Sequence, residues 1–350
     1  MTSRKDGPDS SRPSFRTTVA VGALTAVVLA YGVRPLHADV VLTFQDIINT
    51  ADPTFNQGLG INSSGLIAGY FGSGAAGHPN KGYTVAPPYT TFTNENFTNS
   101  VQTQVTGLNN IGTTVGFWSD TNMGVGMDNN FGFVNLGVSF INVNNPGTGT
   151  TPPVVNQLLG VNDGNIAVGF FTDAAGDTHG YTYNIASNTF SANIDDPNAV
   201  GNTTAAAINN AGQIAGFYTD AAGDSHGFID IGGTFTTLDA AGAMNTSLLG
   251  LNNLGEAVGF DVDAAGLMHG IVCNTSTLAC MEVDDPNGIG TTTFNGVNDK
   301  GQIVGFYVNG NDNTIGLLAN PVPEPSMFLL VSVGLLGFGI VRRRQRVRAS

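Results

Sequence analysis

Short runs in which apolar and polar residues alternate recur along the chain from Leu42 to Asn320. Clusters of Gly, Asn and Asp separate them. Alternation with period two over four to seven residues, broken by turn formers, predicts many short strands joined by tight turns. No long segment of the body carries the 3.6-residue period of an amphipathic helix.

The strands fall into a repeat. Its core is Gly-Leu/Ile-Asn-x-x-Gly-x-Ile/Val-x-Gly-Phe, with the asparagine at Asn62, Asn109, Asn162, Asn209, Asn252 and Asn298. Successive asparagines lie 47, 53, 47, 43 and 46 residues apart. Seven residues after each stands a glycine: Gly69, Gly116, Gly169, Gly216, Gly259 and Gly305. The fourth copy is the clearest. A turn at Asn209 leads to the strand Ile214–Tyr218, and a turn at Asp220-Ala221-Ala222-Gly223 leads to His226–Ile229. Gly232-Gly233 then leads to Phe235–Asp239. With the strand before Asn209 this makes four strands in about 46 residues, the period of one propeller blade.

Ring closure is the demanding part of that expectation. The sixth copy ends at Leu317–Asn320 without a fourth strand, while an unattached strand, Leu42–Ile47, precedes the first copy. If the two join, the circle closes and no sheet edge is left open. The expected fold is therefore all-β, a six-bladed β-propeller, with a C-terminal transmembrane sorting helix after it. An open β-solenoid is the alternative, but it needs capping repeats, and none is visible. The expected domains are a signal peptide at 1–38, a repeat domain at 39–320 and a sorting tail at 321–350. The repeats begin near 58, 105, 158, 205, 248 and 294.

Composition changes the picture at both ends. Ten of the 12 Lys and Arg lie in the first 38 or last 30 residues. Residues 39–320 keep Lys81 and Lys300 against 23 Asp and Glu, a net charge near −21. Such a surface repels nucleic acid and anionic lipid. The N-terminal segment has a basic leader (Arg4, Lys5, Arg12, Arg16), an apolar stretch Thr17–Val33, and Leu36-His37-Ala38 before Asp39. This is the pattern of a secretory signal cut by signal peptidase between Ala38 and Asp39.

At the other end, Val322-Pro323-Glu324-Pro325 precedes an apolar run from Met327 to Val341 and then Arg342, Arg343 and Arg344. The prolines keep the motif extended. The run is 15 residues, about 22 Å as a helix, short against the roughly 20 of a stable span. That length suits transient insertion in the inner membrane, with the arginines on the cytoplasmic side; a permanent anchor is the alternative. The tail resembles the PEP-CTERM sorting signal of bacteria that export exopolysaccharide. The resemblance implies recognition and removal of the tail by an exosortase-like protease, and delivery to the cell surface or beyond. The repeats resemble the bacterial extracellular repeats of the HAF family through His179-Gly180-Tyr181, His226-Gly227-Phe228 and His269-Gly270-Ile271. The other three copies lack the histidine, and that family brings no chemistry to transfer.

Candidate chemistry in the body is sparse. His179, His226 and His269 occupy one repeat position, so they cap their own hairpins more readily than they converge on a metal. Asp173 and Asp177, with Asp220 and Asp224, are spaced as hard oxygen ligands for calcium. The same pattern is also that of a type I turn, so no cofactor is expected and calcium is the one alternative. The pairs Asp195-Asp196 and Asp284-Asp285 could serve as glycoside-cleaving carboxylates, but their recurrence fits a turn consensus. Cys273 and Cys280 stand where the third copy has Tyr183 and Phe190, so a cross-hairpin disulfide is expected in an oxidising compartment. Trp118 is the one tryptophan. It is expected to pack between blades like Phe71, Phe171, Tyr218 and Tyr307, or else to stack on carbohydrate.

With no catalytic motif present, the expected function is that of an exported, non-enzymatic binding or scaffold protein. Its expected setting is exopolysaccharide or biofilm matrix. The alternative is a glycan-acting hydrolase or lyase on one propeller face. The non-repeat insertions Gly72–Lys81 and Ser119–Asn130 are the places to look for a site, because irregular loops carry function.

Overall fold

The computed structural model describes residues 41–137 and 139–322. The signal peptide with its Ala38–Asp39 cut, and the tail from Pro323 with Glu324, Pro325, Arg342, Arg343 and Arg344, lie outside the described residues. Within them there are twenty-four strands and no helix.

The strands form six four-stranded antiparallel sheets, the blades of a propeller. Blade 1 holds β2 (Asn56–Ile61), β3 (Ile67–Phe71), β4 (Lys81–Val85) and β5 (Phe92–Asn94). Blade 2 holds β6 (Gln102–Leu108), β7 (Thr114–Ser119), β8 (Phe131–Asn135) and β9 (Phe140–Val143). Blade 3 runs from β10 (Asn156–Val161) through β11 (Ile166–Thr172) and β12 (Thr178–Asn184) to β13 (Thr189–Phe190). Blade 4 runs from β14 (Thr203–Ile208) through β15 (Ile214–Thr219) and β16 (Ser225–Ile231) to β17 (Thr234–Thr237). Blade 5 runs from β18 (Asn245–Leu251) through β19 (Glu256–Val262) and β20 (Met268–Asn274) to β21 (Ala279–Glu282). Blade 6 combines β22 (Thr293–Val297), β23 (Ile303–Val308) and β24 (Thr314–Pro321) with β1 (Leu42–Ile47) from the other end of the chain. β1 pairs with β24 in register from Leu42↔Pro321 to Ile47↔Gly316, so the expected closure is present.

The repeat glycine has a steric cause. In every blade the first strand bulges, between Gly58 and Gly60 in blade 1 and between Val105 and Gly107 in blade 2. Just before the bulge a carbonyl of the first strand lies against the repeat glycine of the second. A Cβ on Gly116 would land on the carbonyl oxygen of Gln104, and one on Gly259 on that of Ser247. Any side chain there would break the ladder.

The core is distributed over six junctions. Each hydrophobic cluster spans two adjacent blades. One joins Val115, Val134 and Val143 of blade 2 to Leu158, Val161 and Tyr181 of blade 3. Another joins Val304, Leu318 and Ile47 of blade 6 to Ile61, Ile67 and Tyr83 of blade 1. Each blade therefore buries its faces against its two neighbours.

Candidate functional site

The repeat asparagines meet at one end of the central channel. Each side chain does two jobs. Its Oδ1 accepts from the turn that follows it: for Asn109, from the N–H groups of Ile111 and Thr113. Its Nδ2 donates to the carbonyl of the asparagine in the next blade. Asn62 donates to Asn109, Asn109 to Asn162, Asn162 to Asn209, Asn209 to Asn252, Asn252 to Asn298, and Asn298 back to Asn62, at 2.9–3.3 Å. This closed ring satisfies buried amides. It explains the repeat as architecture.

The three histidines are clamped at the rim, each in its own blade. His226 Nδ1 lies 2.8 Å from Asp239 and Nε2 3.5 Å from Asp220. His179 sits likewise between Asp195 and Asp173, and His269 between Asp284 and Asp263. The hydrogen bond that His226 donates to Asp239 raises its pKa against the effect of burial, and the bond to Asp284 does the same for His269. Burial opposes the charge on His179, but the hydrogen bond and charge of Asp195 outweigh it.

Of the four calcium candidates, Asp173 and Asp220 have their carboxylates engaged in these hairpins, while Asp177 and Asp224 enter them through their backbone N–H groups. Asp173 Oδ1 accepts from the N–H groups of Ala175 and Asp177, and Asp220 Oδ1 from those of Ala222 and Asp224. These backbone donors hold both carboxyls below the usual carboxylate range. Among the described residues no group of three or more His, Cys, Asp or Glu is placed to hold a metal ion. Asp195 and Asp284 are the histidines' partners, while Asp196 and Asp285 are buried behind them.

In blade 5, Cys273 and Cys280 are cross-strand neighbours joined at an S–S distance of 2.03 Å. They occupy the register of Tyr183 and Phe190 in blade 3. The same blade holds a residue that the repeat pattern does not bring out. Where the other blades have Phe71, Trp118, Phe171, Tyr218 and Tyr307, blade 5 has Asp261. It is 1 % exposed, and neither carboxylate oxygen has a hydrogen-bond partner. Burial, with the charge of Glu282, raises its pKa to about 6.

The departures from the repeat converge on the other face, around blades 1 to 3. The two insertions are tied together: Asn122 Nδ2 donates to the Gly74 carbonyl at 3.0 Å, and the Gly77 N–H donates to Asn122 Oδ1 at 2.9 Å. The second insertion also reaches blade 3, where the Val154 N–H donates to Asn129 Oδ1 and Gln157 Nε2 to Asn130 Oδ1. Asp128, only 8 % exposed, organises this loop. It accepts from Thr121 Oγ1, the N–H groups of Met123 and Gly124, and Gln102 Nε2. Burial alone would raise its pKa, yet these four bonds hold it below the ordinary value.

Beneath the loop lies a cavity of about 260 Å³, bordered by Gln102, Gln104, Phe117, Trp118, Asn130 and Gln157, among others. Trp118 stacks on Phe97 at 4.5 Å and donates through its indole N–H to Asn142 Oδ1. It thus packs as a structural aromatic that also borders the cavity.

Residues 321–344 match the family described as the PEP-CTERM protein-sorting motif. The motif implies an exported protein sorted by an exosortase, with a transient stay at the membrane. Among the described residues no helix is long and apolar enough to cross a membrane. No curated protein matches the sequence. Among solved structures the chain is similar to TolB from Acinetobacter baumannii at 10 % identity and TM-score 0.48, covering 77 % of this chain and 66 % of that one. It is similar to Trypanosoma rangeli sialidase in complex with the inhibitor DANA at 9 % identity and TM-score 0.47, covering 85 % and 60 %. It is similar to AofleA from Arthrobotrys oligospora at 10 % identity and TM-score 0.48, covering 79 % and 86 %. The chain spans less than two thirds of the length of the first two.

Proposed function

We propose that this chain is an exported, non-enzymatic binding or scaffold protein. An exosortase-like protease removes its tail, and its propeller body acts at the cell surface or in the exopolysaccharide of a biofilm matrix. The observation that carries this reading is the sorting motif at 321–344, directly after the last propeller strand. The strongly acidic body and the likeness of its repeats to extracellular HAF repeats support the same location. A binding role is favoured over the glycan-acting alternative by the one carboxylate at the loop-covered cavity. Asp128, the one acidic side chain bordering the cavity, is held ionised by four hydrogen bonds. A general acid needs a raised pKa and a second carboxylate beside it.

The test is intact-mass measurement of the protein from its native host, with fractionation. A species from Asp39 to the Pro-Glu-Pro region, recovered outside the cell and co-sedimenting with host polysaccharide, is expected. Full-length chain retained in the inner membrane would sink the sorting half of the proposal. Turnover of host polysaccharide by the released body would instead favour the enzyme.

A further inference from the structure

The position five residues before each ring asparagine lies on the innermost strand, cross-strand from the repeat's Gly-Phe aromatic. Blades 1 to 3 carry Gln57, Gln104 and Gln157 there, and blades 4 to 6 carry Thr204, Ser247 and Thr293. Nothing in the repeat's architecture requires the long amides, since the short hydroxyls complete the same strands. Both insertion loops rise over the amide side of the ring. In a repeat protein the structural residues recur, so a local break of symmetry with several polar groups around one cavity marks a site.

The cavity's chemistry narrows the ligand. Gln104 Nε2 is fixed by Asn80 Oδ1 at 2.8 Å, and Gln157 Nε2 by Asn130 Oδ1 at 3.3 Å. Each carboxamide is thereby oriented, and among the described residues neither carbonyl oxygen has a protein donor. Half-buried Phe117 lies across the strand from Gln104 and supplies an apolar surface. No Lys or Arg borders the cavity. The two lysines of the body lie elsewhere, with Lys81 donating to the Val101 carbonyl. A site of fixed amides and one aromatic, in a body near −21, suits a neutral molecule rich in hydroxyl donors with an apolar ring face. The volume is that of about nine waters at roughly 30 Å³ each, the scale of a single sugar unit.

We propose that this cavity between blades 2 and 3, under the 119–130 loop, is a binding site for one residue of a neutral glycan. Gln104 and Gln157 accept its hydroxyls and Phe117 lies against its ring. The inference rests on the reading of the body as a binding module, but it is independent of the sorting tail.

Trp118 supplies the measurement, because it is the chain's one tryptophan and borders the cavity. The full-length purified chain is titrated with neutral hexose oligosaccharides and, separately, with a uronic-acid oligomer while Trp fluorescence is recorded. A saturable change with a neutral oligosaccharide and none with the acidic oligomer is expected. The Gln104→Ala/Gln157→Ala double variant should bind about tenfold more weakly or worse. Val125→Arg guards against a folding artefact: Val125 is 84 % exposed on the roof loop, so this change blocks the mouth without touching the core. No saturable change with any neutral oligosaccharide, equal binding of the acidic oligomer, or full affinity in both variants would overturn the assignment. Export of the protein in the host would remain a separate result.

Discussion

Asn298 donates through Nδ2 to the carbonyl of Asn62 at 2.9 Å, across 236 residues of sequence. This bond joins the last blade to the first and closes the ring of six asparagines. Asn298 also accepts, through Oδ1, from the N–H groups of Lys300 and Gln302. Asn298→Ala therefore removes one inter-blade donor and two turn bonds at a buried position, a loss of about 2–4 kcal/mol. Asn162→Ala, at an equivalent junction, should cost a similar amount. Denaturant midpoints at constant m-value check this. A loss below about 0.5 kcal/mol in both variants would mean that the ring is incidental.

The pH dependence of the histidine clamps has a definite sign. All three histidines have folded pKa values raised above the ordinary 6.5. Their contribution is fully present below that value and is lost as pH rises through the raised one. Stability should therefore fall on the alkaline side, as pH rises above the ordinary histidine value of about 6.5. The triple variant His179→Gln/His226→Gln/His269→Gln should flatten that limb. Asp173, Asp220 and Asp263 are lowered by the backbone N–H groups of their turns. Their contribution is present above the ordinary carboxylate range and fails only in stronger acid. A native protein with no stability loss above neutrality would contradict the clamps.

Much of this architecture is legible in the sequence because the repeat repeats its causes. The asparagine, the glycine seven residues on and the turn aspartates each recur in register, and the free strand Leu42–Ile47 points to the closure. What stays hidden depends on neighbours that periodicity does not show. The asparagine side chains bridge blades, which spacing within one copy cannot reveal. The partners Asp195, Asp239 and Asp284 are brought to their histidines by the fourth strand of each blade and the connector after it. Asp261 is hidden because its position carries an aromatic residue in the other five copies, and an aromatic consensus does not draw the eye to the one copy that breaks it. The insertions stand out as breaks in the repeat, yet nothing in the sequence shows that Asn122 ties one to the other or that Gln104 and Gln157 lie beneath them.

Closure by β1 gives a second stability prediction. Deleting Leu42–Ile47 strips β24 of its outer partner and removes Ile47 from the junction with blade 1. Losing that burial and six residues of pairing should cost about 4 kcal/mol or more. The bared edge of β24 should drive association. Size-exclusion chromatography and denaturation of the truncated chain check both effects. A peptide spanning residues 41–48, added in excess, should restore a monomer. A truncated chain that stays monomeric and equally stable would show that the ring closes without this strand.

Asp261 is the least comfortable residue of the body, and its cost is measurable. It lies across the strand from His269, with Glu282 and Asp284 close enough to act on its charge. Desolvation and Glu282 raise its pKa from 3.8 to about 6, despite the opposing pull of His269. The folded state thus holds this proton more tightly than the unfolded chain does. The associated stability is complete below the unfolded value and is lost as pH rises from about 4 to about 6. At neutral pH the ionised, unpartnered carboxylate should cost about 1–3 kcal/mol. Asp261→Asn should raise the neutral-pH midpoint by that order and remove the slope in this window. Asp261→Tyr should do so more strongly, because Tyr218 already stacks beneath His226 at 5.2 Å in the neighbouring blade. If Asp261→Asn left both the midpoint and the slope unchanged, the carboxylate must have a partner in solution, and the acid-side behaviour would have to come from Asp285, whose pKa burial also raises. Asp285→Asn would then carry the effect, which separates the two buried acids in one pair of measurements.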